Sequence, residues 1–187
     1  MGSHTFDPAK AEKLDDESRY QFCSREELLG ALGAGGGTDG HLLDLGSGTG
    51  FYTTALAPFF RQVSAVDIQS AMHDHYRKKG LPENVSLVES STDSLPLDDG
   101  SVDAVMSTMT AHELPLAATL SELRRVLGAG GRFVIADWSA EGAGEAGPPR
   151  DERLSAAELR ESLTAAGFSV DSAVERGETL LVAATRD

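Results

Sequence analysis

The chain has 187 residues, 40% of them hydrophobic and 25% charged, and carries a formal net charge of 16 − 30 = −14. That describes a folded, acidic protein long enough for one domain with a substantial core. It excludes nucleic acid as a direct substrate: so negative a field repels phosphate backbones, and the one compact basic cluster, Arg77-Lys78-Lys79, falls at the end of a predicted helix, where cations suit the dipole.

Only four of the sixteen basic residues are lysines (10, 13, 78 and 79), a balance resembling that of proteins from salt-rich cytoplasm. The single cysteine, Cys23, permits neither an intrachain disulfide nor a cysteine-rich metal site, and no metal is expected. No apolar run approaches the length of about 18 residues needed to span a membrane, and the opening MGSHTFDPAKAEK has no signal-peptide core. The expected location is the cytoplasm.

In chain order, residues 7–18 read as a polar helix with Pro8 in its first turn and few apolar anchors. Ser24-Arg25-Glu26-Glu27 is a capping box ahead of Leu28, Leu29 and Leu32, and this helix is expected to stop in the glycine run 33–37. A strand at Leu42–Leu45 then ends at Asp44-x-Gly46-x-Gly48-x-Gly50, and a helix follows from Phe51 to about Phe60. Glycines at such a turn permit positive φ and close approach of backbone to a ligand, while the helix start offers free N–H groups. The dinucleotide pattern G-x-G-x-x-G would need glycine at 51, where Phe51 stands. Val63–Asp67 is the second strand, its terminal acid 17 residues beyond Gly50, where a Rossmann-like unit brings a carboxylate to a bound ribose.

Ser70–Lys79 is a helix closed by Gly80, with His73 and His75 pointing apart and unsuited to one metal. Further strands are predicted at Val85–Glu89, Val102–Ser107, Arg132–Ala136, Phe168–Val174 and Thr179–Ala184, with helices at Leu116–Leu127 and from Ser155 to Gly167. The stretch 139–153, rich in glycine and proline, reads as a lid or a linker.

These motifs together resemble the type 11 (UbiE-like) family of class I S-adenosylmethionine-dependent methyltransferases over roughly residues 40–187. The DLGSGTG turn matches its motif I, Asp67 its motif II, Leu95–Asp103 its L-P-F-x-D-x-S-F-D segment, Ser107–Pro115 its motif IV, and SELRRVLGAGGRFVIAD its E-x-x-R-V-L-x-P-G-G block, with Ala129 in place of the usual proline. The resemblance implies an α/β, Rossmann-like, doubly wound seven-stranded sheet, mostly parallel with an antiparallel last strand and with strand 4 beside strand 1. Residues 1–39 form an N-terminal helical cap on a core of 40–187, the whole being one methyltransferase domain.

It also implies the site. Asp44 supports the glycine turn or approaches the methionine amino group, and Gly46, Ser47, Gly48 and Gly50 meet the methionine and ribose portions of S-adenosyl-L-methionine. Asp67 and the adjoining Ile68 take the ribose. Ser91, where many relatives carry Asp, and Thr92 face the adenine, with Asp93 as an alternative acceptor; Ser107 closes the cofactor side. His112 is a general base, a hydrogen-bond partner of the substrate, or a structural loop contact, and Glu113 is unassigned. Tyr52 and Thr108 line the acceptor pocket, Trp138 walls it or covers the core, and the first 40 residues, the 107–115 loop and the 138–153 loop complete it.

In-line transfer of a sulfonium methyl needs alignment more than covalent help, so no catalytic triad is required. The expected acceptor is a small molecule, and a thiolate-dependent metalloid chemistry is disfavoured with only Cys23 present. Two rivals are a cofactor-binding sensor or partner subunit without catalysis, and a nicotinamide-dependent oxidoreductase, against which Phe51 and the absence of a Tyr-x-x-x-Lys pair argue. The sequence does not specify an oligomeric state.

Overall fold

The computed structural model describes residues 6–34 and 39–187. Residues 1–5 of the opening stretch, and 35–37 of the glycine run with Thr38, lie outside them. Seven strands form one sheet: β1 (His41–Leu45), β2 (Gln62–Asp67), β3 (Val85–Glu89), β4 (Val102–Thr108), β5 (Leu127–Trp138), β6 (Phe168–Glu175) and β7 (Thr179–Arg186). Their order is β3-β2-β1-β4-β5-β7-β6, with β7 antiparallel to both neighbours and the other pairings parallel. The expected doubly wound arrangement is found, and the winding reverses between β1 and β4. Ligands of such sheets bind outside the carboxyl ends of the strands at that reversal.

Parallel strands covered on both faces read as continuous apolar runs, and β1 is buried along its whole length. Alternate side chains serve opposite faces. Leu43 and Leu45 join Val105, Phe133 and Ile135 under helices α4 (Leu116–Val126) and α5 (Ala156–Ala165). Leu42 joins Val63, Met106 and Val134 under α1 (Arg25–Leu32), α2 (Phe51–Leu56) and α3 (Ser70–Lys79). Capping boxes form as read at Ser24/Glu27 and Ser155/Glu158. Among the described residues no helix is long and apolar enough to cross a membrane.

Three local readings are corrected. The segment 7–18 is not one α-helix but a 3-10 stretch, Pro8–Asp15, followed by a second, Glu17–Gln21, because Asp16 adopts an extended backbone and caps the second with its carboxylate. The helix after the glycine turn stops at Leu56 and tightens to 3-10 at Ala57–Phe59, where Pro58 lacks an amide to continue it. β5 begins at Leu127 rather than Arg132: Leu127 pairs with Val102, Arg132 pairs with Ala104, and the intervening glycine stretch is accommodated as an irregularity with Gly130 at φ 74°.

Gly50 has φ 78°, and a Cβ there would overlap the buried ring of Tyr76, whose hydroxyl accepts a bond from Thr54 Oγ1 at 2.9 Å. This glycine lets α3 pack against the start of α2. Gly50→Ala is therefore expected to cost about 2–4 kcal/mol, the sum of a left-handed alanine and an overpacked contact. Urea unfolding would show it as a lowered midpoint, and an unchanged midpoint would mean that Gly50 serves something other than this packing.

Candidate active site

A cleft of about 720 Å³ lies over the carboxyl ends of the strands. Its floor is the turn Gly46–Thr49; one side carries Asp67–Gln69 and Ser90–Thr92, the other Thr108–Thr110, His112–Pro115, Trp138 and Pro148. Phe6, Lys10, Lys13, Leu14 and Arg19 of the N-terminal segment line it as well. That segment is attached at several points: Gln69 Nε2 donates to Phe6 O at 3.1 Å, Thr49 Oγ1 donates to Asp15 at 2.7 Å, and Lys79 also pairs with Asp15.

The floor hangs from β2. The amides of Gly46 and Ser47 both donate to Val66 O at 2.9 Å, and the Gly48 amide donates to Asp67 Oδ2 at 2.8 Å. Gln69 N donates to the other oxygen of the same carboxylate, also at 2.8 Å, so backbone braces Asp67 from two directions at the cleft wall. Gly46, at φ 70°, leaves room for the Thr110 side chain, whose hydroxyl donates to Thr108 O at 3.1 Å and to Gly46 O at 3.3 Å. This clasp joins the glycine turn to the loop after β4. The Ser47 hydroxyl is buried at the floor without a hydrogen-bond partner among the described residues.

Asp44 does not reach the cleft wall. It is buried, and Thr53 Oγ1 donates to its Oδ2 at 2.5 Å, tying the end of β1 to α2, while its Oδ1 has no hydrogen-bond partner among the described residues. Burial pushes its pKa up to about 7, with the charge of Asp67 adding to the rise; the Thr53 bond and Arg19 act in the opposite sense.

Ser91, Thr92 and Ile68 stand together at the β2–β3 end of the cleft, with Ile68 59% exposed at the mouth. Thr92 Oγ1 shares a hydrogen bond with Thr119 Oγ1 at 2.7 Å. Asp93 is exposed and lies off the wall. Two expected cofactor residues are likewise absent from the wall. Gly50 packs on Tyr76, and Ser107 is fully buried in β4, because side-chain alternation sends its neighbour Thr108, not Ser107, into the cleft.

Tyr52 lines the cleft with its ring, while its hydroxyl donates to Cys23 O at 2.9 Å and to Arg19 O at 3.2 Å, fastening the N-terminal segment to α2. Cys23 is buried, and burial pushes its thiol up to about 11, so it supplies no thiolate. Trp138 lines the opposite wall between Phe22, 4.7 Å away between ring centroids, and Arg153, 5.7 Å from its ring. The buried guanidinium of Arg153 donates to the carbonyls of Pro148, Ser139 and Ala146 and pairs with Glu178, which makes 139–153 a pinned wall.

His112 is the titratable group at the centre. Its Nδ1 lies 2.8 Å from Asp137 Oδ1 and its backbone amide donates to Asp137 Oδ2 at 2.9 Å. The imidazole is 8% exposed and the Asp137 side chain 0%. Nδ1 therefore carries the proton toward Asp137, and Nε2 is left facing the cleft, 3.8 Å from Glu113. Preceding it, Met109 holds φ 56°, the one positive φ among described non-glycine residues, with its amide donating to Ala136 O at 2.7 Å. Such backbone costs about 1–3 kcal/mol and aims the loop into the cleft.

Burial lowers the basicity of His112, but the bond from Asp137 and the charges of Asp137, Glu113 and Glu152 outweigh it, leaving the imidazole pKa above its ordinary value. A raised folded pKa means that the pair stabilises the fold fully below the unfolded histidine value of about 6.5 and that this is lost as pH rises through the folded one. Nuclear magnetic resonance titration should place the His112 midpoint above about 6.5, and Asp137→Asn should bring it down. A wild-type midpoint at or below that value would contradict the pair.

Comparison with known proteins bears on this geometry. The family profile described as a methyltransferase domain matches residues 43–135. A solved S-adenosylmethionine-dependent methyltransferase from Aquifex aeolicus superposes with a TM-score of 0.88 at 34% identity, over 98% of this chain and 100% of that one. An uncharacterised methyltransferase of Mycobacterium tuberculosis is 40% identical over 113 residues, 60% of this chain and 42% of the relative. The ubiquinone/menaquinone biosynthesis C-methyltransferase UbiE of Brucella anthropi is 34% identical over 105 residues, 52% of this chain and 40% of the relative. The chain thus spans about two fifths of the length of these curated relatives. It belongs to the type 11 family of class I S-adenosylmethionine-dependent methyltransferases, with S-adenosylmethionine as its cofactor.

Proposed function

We propose that the protein transfers the cofactor's methyl group to a small-molecule acceptor by in-line displacement, with His112 as the base that takes the acceptor's proton. The observation that carries this reading is the His112–Asp137 pair opening, through Nε2, into the same cleft that holds the glycine turn and Asp67. The residues fit the cofactor: a braced carboxylate, a glycine floor that admits close approach, and an unpartnered Ser47 hydroxyl all suit a polar nucleoside with an amino-acid tail. When bound, S-adenosylmethionine supplies an electrophilic methyl on a sulfonium centre.

The chain's own residues do the rest. The floor of Gly46–Gly48 and Ser47 carries the methionine and ribose portions, Asp67 with Ile68 alongside accepts bonds from the ribose hydroxyls, and Ser91 and Thr92 border the adenine. Asp137 holds His112 in the tautomer with Nε2 free, so that a neutral imidazole removes a proton as the acceptor attacks. Tyr52, Thr108 and Trp138 shape the acceptor side. The cleft of about 720 Å³ falls among small-ligand pockets of about 300–1,000 Å³ and is shared by the cofactor and the acceptor. A binding-only role gives no use for an imidazole tied to a buried carboxylate, so catalysis is the preferred reading.

Calorimetric titration of the dialysed protein should give micromolar binding of S-adenosylmethionine and S-adenosylhomocysteine and none of NAD. Asp67→Ala should weaken both by about 1–3 kcal/mol through loss of a charged acceptor; an unchanged affinity contradicts the ribose role. With an acceptor in hand, His112→Ala should lower kcat by about 10²–10⁴ and leave cofactor affinity alone, whereas full activity would remove His112 from the mechanism.

A further inference from the structure

We propose that the acceptor's nucleophile is an amine nitrogen carrying at least two protons, one donated to His112 Nε2 and another to the carboxylate of Glu113. The proposal rests on the methyl-transfer reading above and deepens it by naming the class of acceptor.

Glu113 ends the single 3-10 turn Ala111–Glu113, and its side chain, 22% exposed, stands on the cleft wall. Its amide donates to Thr110 O at 2.9 Å, and the Thr110 hydroxyl donates to Gly46 O, so the residue is tied to the glycine floor. Among the described residues no lysine or arginine pairs with it; its ion-pair partner is His112, whose Nε2 lies 3.8 Å from Oε1. That gap is too long for a hydrogen bond between the two. One nitrogen can bridge it. A donor about 2.9 Å from both atoms would see them about 80° apart, within reach of two N–H bonds of a tetrahedral nitrogen. With the Nδ1 proton directed at Asp137, both Nε2 and Oε1 are acceptors. A hydroxyl has one proton to give and a carbon nucleophile has none fit for a hydrogen bond, so either leaves an acceptor unmatched.

Charge on this wall points the same way. The lysines and the arginine of the cleft, Lys10, Lys13 and Arg19, come from the N-terminal segment, whereas the loop after β4 adds Glu113 and the end of β5 sets Asp137 behind His112. Burial raises the pKa of Glu113; His112 and the Phe6 amide oppose the rise, and the charges of Asp137 and Asp67 add to it. A carboxylate withdrawn from water beside other carboxylates gains from an arriving cation, and an ammonium group supplies one. Neutral His112 takes one of its protons and frees the nitrogen lone pair. As the C–N bond forms the S–CH3 bond breaks, its electron pair stays on sulfur, and the positive charge passes to a nitrogen that still donates to Glu113. The proton on His112 leaves to solvent.

The test gives the wild-type protein and S-adenosylmethionine a set of matched small molecules and reads the S-adenosylhomocysteine formed. Benzylamine is paired with benzyl alcohol, phenethylamine with phenethyl alcohol and hexylamine with hexanol, and phenol and hydroquinone are added. Turnover should be confined to amines, each exceeding its alcohol by about 10-fold or more in kcat/KM. Glu113→Gln should lower kcat/KM for the best amine about 10- to 100-fold, the loss of one charged hydrogen-bonding partner, and leave S-adenosylhomocysteine affinity within about twofold by calorimetry. Equal turnover of an amine and its alcohol, absence of amine turnover in a wild type that binds the cofactor, or full amine activity in Glu113→Gln each overturns the proposal. Should Glu113→Gln not fold, the matched pairs on the wild type decide alone. Turnover of a phenol or alcohol that His112→Ala abolishes overturns this proposal and leaves the methyl-transfer reading standing, whereas a wild type that binds no S-adenosylhomocysteine strikes both.

Discussion

The site depends on the carboxylate of Asp67 and the two backbone amides that hold it. Gly48 donates to one oxygen and Gln69 to the other, both at 2.8 Å, while the preceding carbonyl of Val66 takes the amides of Gly46 and Ser47. The end of β2 thereby fixes the glycine turn that leaves β1, and the turn in turn holds the loop after β4 through the close seat of Thr110 on Gly46. Three strands of the reversal are thus joined by backbone and short side chains, a rigid arrangement on which a ligand can be aligned without reorganising the protein.

Charge is distributed unevenly around this frame. The chain as a whole carries −14, yet Lys10, Lys13 and Arg19 face the cleft from the N-terminal segment, and His112 faces it from the loop after β4. The cleft thus sets these cations beside the carboxylates of Asp67 and Glu113 in an otherwise acidic chain. Burial raises the pKa of Asp44 and lowers that of Arg19, because it disfavours the charged form of each. The wall of 139–153 adds shape rather than charge: Arg153 spends its donors on the loop's own carbonyls and holds Trp138 in place.

Much of this was legible in the sequence because it is local. The glycine spacing before Phe51, the acids closing β1 and β2 and the two capping boxes follow from motifs read within a few residues of one another, and the strand order from the family resemblance that those motifs carry. What escaped depended on contacts between distant segments. His112 and Asp137 are 25 residues apart, and Asp137 was visible only as one more acid at a strand end. The same strand-end position that marked Asp67 was the signal that could have paired it. Gly50 looked like part of the ligand turn until Tyr76 occupied the space beside it, and Ser107 differed from Thr108 only in which way a strand residue points. Arg19 stood in a polar stretch with no motif; its position follows from the hydroxyl of Tyr52 and the rings of Phe51 and Tyr52 beside it.

The most direct test of the account is a crystal structure of the complex with S-adenosylhomocysteine. The account predicts the ribose hydroxyls on Asp67, the adenine beside Ser91 and Thr92, and the sulfur directed toward the side of the cleft that holds His112 and Trp138. A nucleoside bound away from the Gly46–Gly48 turn, or with its ribose out of reach of Asp67, would contradict it.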